Sequence, residues 1–98
     1  MEIEYRQGDV FLIKVDKLPA QARLSPPKPR IILAYGEATG HTHAVSGLLA
    51  SLHCTEREDY LVVDTLAQLV HEEHDTISVP KGTYRVVRQR EYDPDGSQ

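Results

Sequence analysis

The chain has one cysteine, Cys54, so no internal disulfide can form and stability must come from packing, from a partner subunit or from a metal. It also lacks any apolar run near the roughly 18 residues of a membrane span. The acidic start Met1-Glu2-Ile3-Glu4 has none of the basic and apolar regions of a signal peptide. A cytoplasmic protein with no membrane association is expected. Positive charge is in short supply too: 11 Lys+Arg stand against 15 Asp+Glu, a formal charge of -4. That balance disfavours nucleic acid as a partner bound through many phosphate contacts, although a local basic patch is compatible with it. Part of the acidity lies at the ends, in Glu2, Glu4, Glu91, Asp93 and Asp95, so the middle is nearer neutral. There is no repeat, no low-complexity tract and no clear amphipathic helix pattern.

What is present suits one folded domain over residues 1–98, because 98 residues cannot supply two worthwhile hydrophobic cores. Hydrophobic residues at 40%, charged residues at 27% and a mean hydropathy of -0.43 are ordinary for a folded chain. Gly8-Asp9 opens Val10-Phe11-Leu12-Ile13-Lys14-Val15, a strand by composition. Residues 16–30 carry Pro19, Pro26, Pro27 and Pro29 and read as a long loop. Two strands follow, over Arg30–Tyr35 and His41–Val45, while Leu48–Cys54 suits either a strand or a helical turn. Asp59–Asp64 is a strand, and Thr65–Val70 either continues it or begins a new element. Ile77 and Val79 alternate with polar residues, Pro80-Lys81-Gly82 reads as a turn, and Thr83–Tyr92 is a long last strand before a frayed tail, 93–98. Short strands of this kind predict an all-β fold, a small antiparallel barrel or sandwich.

Histidine is the compositional excess, with five in the chain, four of them in two tight pairs. On a strand, side chains two apart share a face, so His41 and His43 can aim at one point while Thr42 turns away, and Gly40 permits close backbone approach. His71-Glu72-Glu73-His74 has ligand spacing for a turn or helix, with two carboxylates as further ligands or general bases. His41, His43, His71 and His74 are therefore the candidate metal ligands, and Glu72 and Glu73 the candidate catalytic carboxylates. Imidazole suits several divalent metals, and the spacing leaves the identity of the ion open. His53, beside Cys54, has no matching partner and is set aside. On the last strand Arg88 and Arg90 share the face of Tyr84 and Val86, where they can hold an anion or instead pair with acids such as Asp64, Glu72 or Glu73.

His74-Asp75-Thr76-Ile77 is similar to the H-x-T-x pattern that one phosphoesterase superfamily uses twice, but at His41-Thr42-His43-Ala44 a histidine stands where the second hydroxyl belongs. Gly40-His41-Thr42-His43 with the later Val79-Pro80-Lys81-Gly82 resembles the cupins over roughly residues 31 to 92. That likeness implies a small β-barrel holding a metal on an H-x-H strand and a later histidine. The cupin glutamate after His43 is absent, and Arg85 stands near the place of the later histidine, so His71 or His74 would have to replace those ligands. Arg6-Gln7-Gly8-Asp9-Val10, Gly36-Glu37-Ala38-Thr39-Gly40-His41 and Arg88-Gln89-Arg90-Glu91-Tyr92 are also similar to short uncharacterised bacterial proteins.

Three functions are compatible with these residues. The first is a metalloenzyme hydrolysing a small-molecule or phosphate-bearing substrate, with a divalent metal on the histidines, Glu72 or Glu73 as base and Arg88 orienting the anion. The second is a metal-free site in which histidines shuttle protons and Arg88 and Arg90 neutralise charge on RNA or another phosphate ester. The third is a non-enzymatic binding or adaptor module that uses the proline-rich loop. A homodimer that covers an edge strand is expected.

Overall fold

A computed structural model describes residues 4–35 and 41–89. Gly40, Arg90 and the tail from 93 to 98 lie outside the described residues. The fold is all-β: β1 (Glu4–Gln7), β2 (Val10–Val15), β3 (Arg23–Leu24), β4 (Arg30–Tyr35), β5 (Thr42–Ser46), β6 (Ala50–Cys54), β7 (Asp59–Leu69) and β8 (Ile77–Arg88). All pairings are antiparallel. Six strands form one sheet in the order β1-β2-β8-β7-β6-β3, and β4 and β5 form a second. The larger sheet ends in β1 on one side and β3 on the other, so it is not closed into a barrel. No helix among the described residues is long and apolar enough to cross a membrane.

Strand alternation builds the core. Val10 and Leu12 on β2, Leu61, Val63, Ala67 and Leu69 on β7, and Val79, Tyr84 and Val86 on β8 turn inward to meet Ile31, Leu33 and Val45 of the smaller sheet. Each fully buried leucine among them contributes roughly 1.5–3 kcal/mol relative to exposure. Tyr84 brings a polar group inside and satisfies it by donating its hydroxyl to the Pro80 carbonyl at 2.8 Å. Its ring and that of Tyr5 meet edge to face, with centroids 5.8 Å apart.

Several local expectations are resolved or corrected. Leu48–Cys54 gives a turn followed by β6, not a helix. Within the proline-rich segment, Arg23–Leu24 pairs with His53 and Cys54, so 16–30 is not loop throughout. Thr65–Leu69 continues β7, and Pro80-Lys81-Gly82 does not turn: β8 runs straight through it. The register explains why proline is tolerated there. Val63 faces Gly82 and Leu66 faces Pro80, so Asp64 and Thr65 oppose the single residue Lys81. This is a β-bulge, one of the few places a sheet accepts proline.

One further link positions the site. Beyond the end of β7, Val70 forms an isolated antiparallel bridge with Ala44 of β5. Val70 donates its N–H to the Ala44 carbonyl at 2.9 Å, and Ala44 donates to Val70 at 3.0 Å. That double bond joins the two sheets at one point and fixes the register of everything just past it.

Candidate metal centre

An antiparallel bridge between Ala44 and Val70 sets the residue before Ala44 opposite the residue after Val70, which are His43 and His71. The two histidine pairs therefore meet as cross-strand neighbours. The ring centroids of His43 and His71 lie 4.2 Å apart, those of His71 and His74 4.6 Å, those of His43 and His74 5.7 Å, and those of His41 and His71 5.6 Å. One step further along the same register, Thr42 donates its backbone N–H to Glu72 Oε1 at 3.1 Å. Glu73 Oε2 lies 3.6 Å from His41 Nδ1. One ligand atom from each of His41, His71 and Glu72 can be chosen so that all lie within 4.8 Å of one another.

The hairpin joining β1 to β2 closes over this cluster. Gln7 pairs with Val10, leaving Gly8-Asp9 as a two-residue turn with Gly8 at φ 55°. A left-handed φ of this kind favours glycine. Gly8 has a second reason to be glycine: a Cβ there would stand 2.8 Å from His74 Nε2 and 3.3 Å from His43 Cε1. On the other side of His43, the β4–β5 register slips between Ile32 and Ala34, so Leu33 is an extra residue beside the histidine. Bulges of this kind recur next to functional sites because they re-aim side chains.

Electrostatics divides the cluster into ionic and neutral parts. His43 is only 6% exposed. Burial holds its pKa below the ordinary imidazole value, with His71 and His74 pushing the same way because protonated neighbours would repel it. Glu72 is held below the usual carboxylate range by hydrogen bonds from its own backbone N–H and that of Thr42. It is thus a carboxylate at neutral pH, better suited to hold a cation than to accept a proton as general base. His71 Nδ1 accepts the Glu73 backbone N–H at 3.0 Å.

The arginines fall elsewhere. Arg88 shares the face of Tyr84 and Val86, as alternation requires, but its guanidinium is committed to Asp59, at 2.6 Å, and to the Leu33 carbonyl across the sheets. Its acid partner is none of the acids anticipated from the sequence, and these bonds make it an inter-sheet tie. Arg30, which the sequence did not single out, reaches Thr42 Oγ1 between the first two histidines. His53 lies on β6 with its Nε2 3.0 Å from Ser51 Oγ. His74 touches His43 and His71, while Thr76 of the H-x-T-x match is exposed. The sequence reading also missed Gln7, whose Oε1 is 2.8 Å from His43 Nδ1. One signal was available: alternation on β1 puts Gln7 on the face of Tyr5, a polar residue at a core position.

Comparison with known families matches residues 6–89 to a domain of unknown function (DUF8820). No curated protein and no solved structure matches the chain.

Proposed function

Because this chain belongs to the DUF8820 family, whose description assigns no activity, we propose a role from the site itself: a divalent-metal centre held by His41, His71 and Glu72, with His43 as a further ligand and His74 beside it. The convergence of the two histidine pairs across the Ala44–Val70 bridge carries this reading. Packing imidazoles at 4.2–5.7 Å is unfavourable if they are protonated, and a shared cation converts that repulsion into binding. An ionised Glu72 offsets part of the cation's charge. A divalent cation at this point would polarise a phosphoryl or carbonyl oxygen, which fits hydrolysis of an anionic or phosphate-bearing small molecule. What this reading keeps of the cupin resemblance is its H-x-H ligand segment, at the start of β5, here supplemented from the bend that follows β7.

Loading has a local cost. A neutral His71 that accepts the Glu73 N–H at Nδ1 carries its proton on Nε2. A cation held at Nε2 would require that proton to sit on Nδ1, and one held at Nδ1 would displace the Glu73 N–H. Both give up the bond, about 1 kcal/mol. A second reading rests on His43, whose lowered pKa keeps it neutral: a metal-free site in which this imidazole is a base toward RNA or another phosphate ester.

Elemental analysis and calorimetric titration with Zn²⁺, Ni²⁺ and Mn²⁺ on protein without a histidine tag separate the two. About one ion per chain, lost in the His41→Ala/His71→Ala double variant, supports the metal centre. Absence of binding to any of the three ions, with RNA hydrolysis persisting in chelator, replaces it with the second reading.

A further inference from the structure

Gln7, the last residue of β1, is 2% exposed and stands among the buried polar residues with Thr42 and His43. A buried carboxamide offers two N–H donors and one carbonyl acceptor, all of which need partners. Gln7 Nε2 donates to the Leu69 carbonyl at 2.9 Å and to the Asp75 carbonyl at 2.9 Å. Both partners can only accept, so the amide cannot be turned over without setting its oxygen against two carbonyl oxygens. Oε1 is thereby fixed as the acceptor facing His43, and His43 Nδ1 must be the donor across the 2.8 Å contact. The proton of a neutral His43 then sits on Nδ1, and Nε2 keeps its lone pair. The two carbonyls held by Nε2 bracket the segment from Val70 to His74, the one that carries His71, Glu72 and His74.

We propose that Gln7 is the positioning residue of this centre: its oxygen sets His43 in the Nδ1–H form with Nε2 open to a cation, and its nitrogen clamps both ends of the turn that delivers the second histidine pair. Outer partners that orient ligating imidazoles commonly do this through a carboxylate or a backbone carbonyl. Here one side-chain amide acts on both halves of the site and couples their geometry. The inference rests on the metal-centre reading for its effect on affinity, but the tautomer it assigns to His43 does not depend on any metal.

The test begins with long-range ¹H–¹⁵N correlation spectra of the unmodified protein without added metal. The expected signature for His43 is a protonated Nδ1 and a pyridine-like Nε2. The opposite tautomer overturns the proposal whether or not the protein binds metal. Gln7→Met keeps the side-chain length and removes every hydrogen bond. It is expected to scramble that signature and to weaken Zn²⁺ binding roughly 10–100-fold. Gln7→Glu retains an acceptor for His43 but sets its second oxygen against the Leu69 and Asp75 carbonyls, so His43 Nδ1 should stay protonated while Zn²⁺ affinity falls. A Gln7→Met protein with the original tautomer and unchanged Zn²⁺ affinity overturns the proposal. An unmodified protein with the expected tautomer but no Zn²⁺ binding removes the metal reading and leaves Gln7 as the residue that sets His43.

Discussion

Replacing Gly8 by alanine separates two effects that the turn joins. At φ 55° an alanine pays for left-handed backbone, about 1–2 kcal/mol. For a domain of this size that lowers the melting temperature by roughly 4–16 °C. The added Cβ would meet His74 Nε2 at 2.8 Å and His43 Cε1 at 3.3 Å. His74 is exposed and its ring can swing aside at little cost in stability, but it then leaves the cluster. His43 is buried and held by Gln7, so it has little freedom to retreat. Gly8→Asn provides the control, since asparagine tolerates the left-handed region yet carries the same Cβ. Thermal unfolding followed by circular dichroism should show Gly8→Ala destabilised and Gly8→Asn restored in part, while calorimetry should show Zn²⁺ affinity reduced in both. A Gly8→Ala protein with the original melting temperature and the original affinity would show that the hairpin turn does not press on the imidazoles, and the reasoning would fail.

Other expectations follow from the same geometry. Val70→Pro removes the N–H that Val70 gives to Ala44, and should abolish Zn²⁺ binding while the far-ultraviolet spectrum stays β; retained binding would mean that the bridge does not align the pairs. Stability should fall on acidification. His43 and Glu72 both have lowered pKa values in the folded chain, so the unfolded chain takes up more protons. Their contributions are present above the ordinary values of 6.5 and 4.5 and are lost as pH drops through the lowered folded ones. Urea midpoints that do not change between about pH 8 and pH 4 would contradict this assignment of the shifts. Leu61→Ala, at a fully buried position of β7, should cost about 2–5 kcal/mol in chemical unfolding, and a loss below 1 kcal/mol would mean that this part of the core is looser than its burial implies.

Strand composition alone located β2, the β4–β5 pair, the first half of β7 and much of β8, because β-branched and aromatic residues in period-two alternation signal a half-buried strand whatever packs on them. It failed at Pro80-Lys81-Gly82. Read locally, proline and glycine mean a turn, and only the extra residue on the facing strand turns that stretch into a bulge inside β8. Arg88 illustrates the same limit. Its face could be counted off from Tyr84, but whether it met a ligand or an acid depended on Asp59, remote in sequence and adjacent only through the β7–β8 register.

The amino-acid order by itself determined that strand patterns dominate the chain, that it cannot cross-link itself through cysteine, and that four of its histidines fall in two pairs, the second enclosing two acids. These follow from side-chain type and spacing over a few residues, which tertiary structure does not change. Tertiary structure alone decided that the pairs meet. Between Val45 and His71 the chain passes through two more strands and a bulge, and no local preference fixes where it returns. One antiparallel bridge, Ala44 to Val70, fixes it, and the buried amide of Gln7 holds the two halves in place from the far end of the sequence. Contacts of that range are set by the packing of whole sheets, and for that reason neither could be read from spacing.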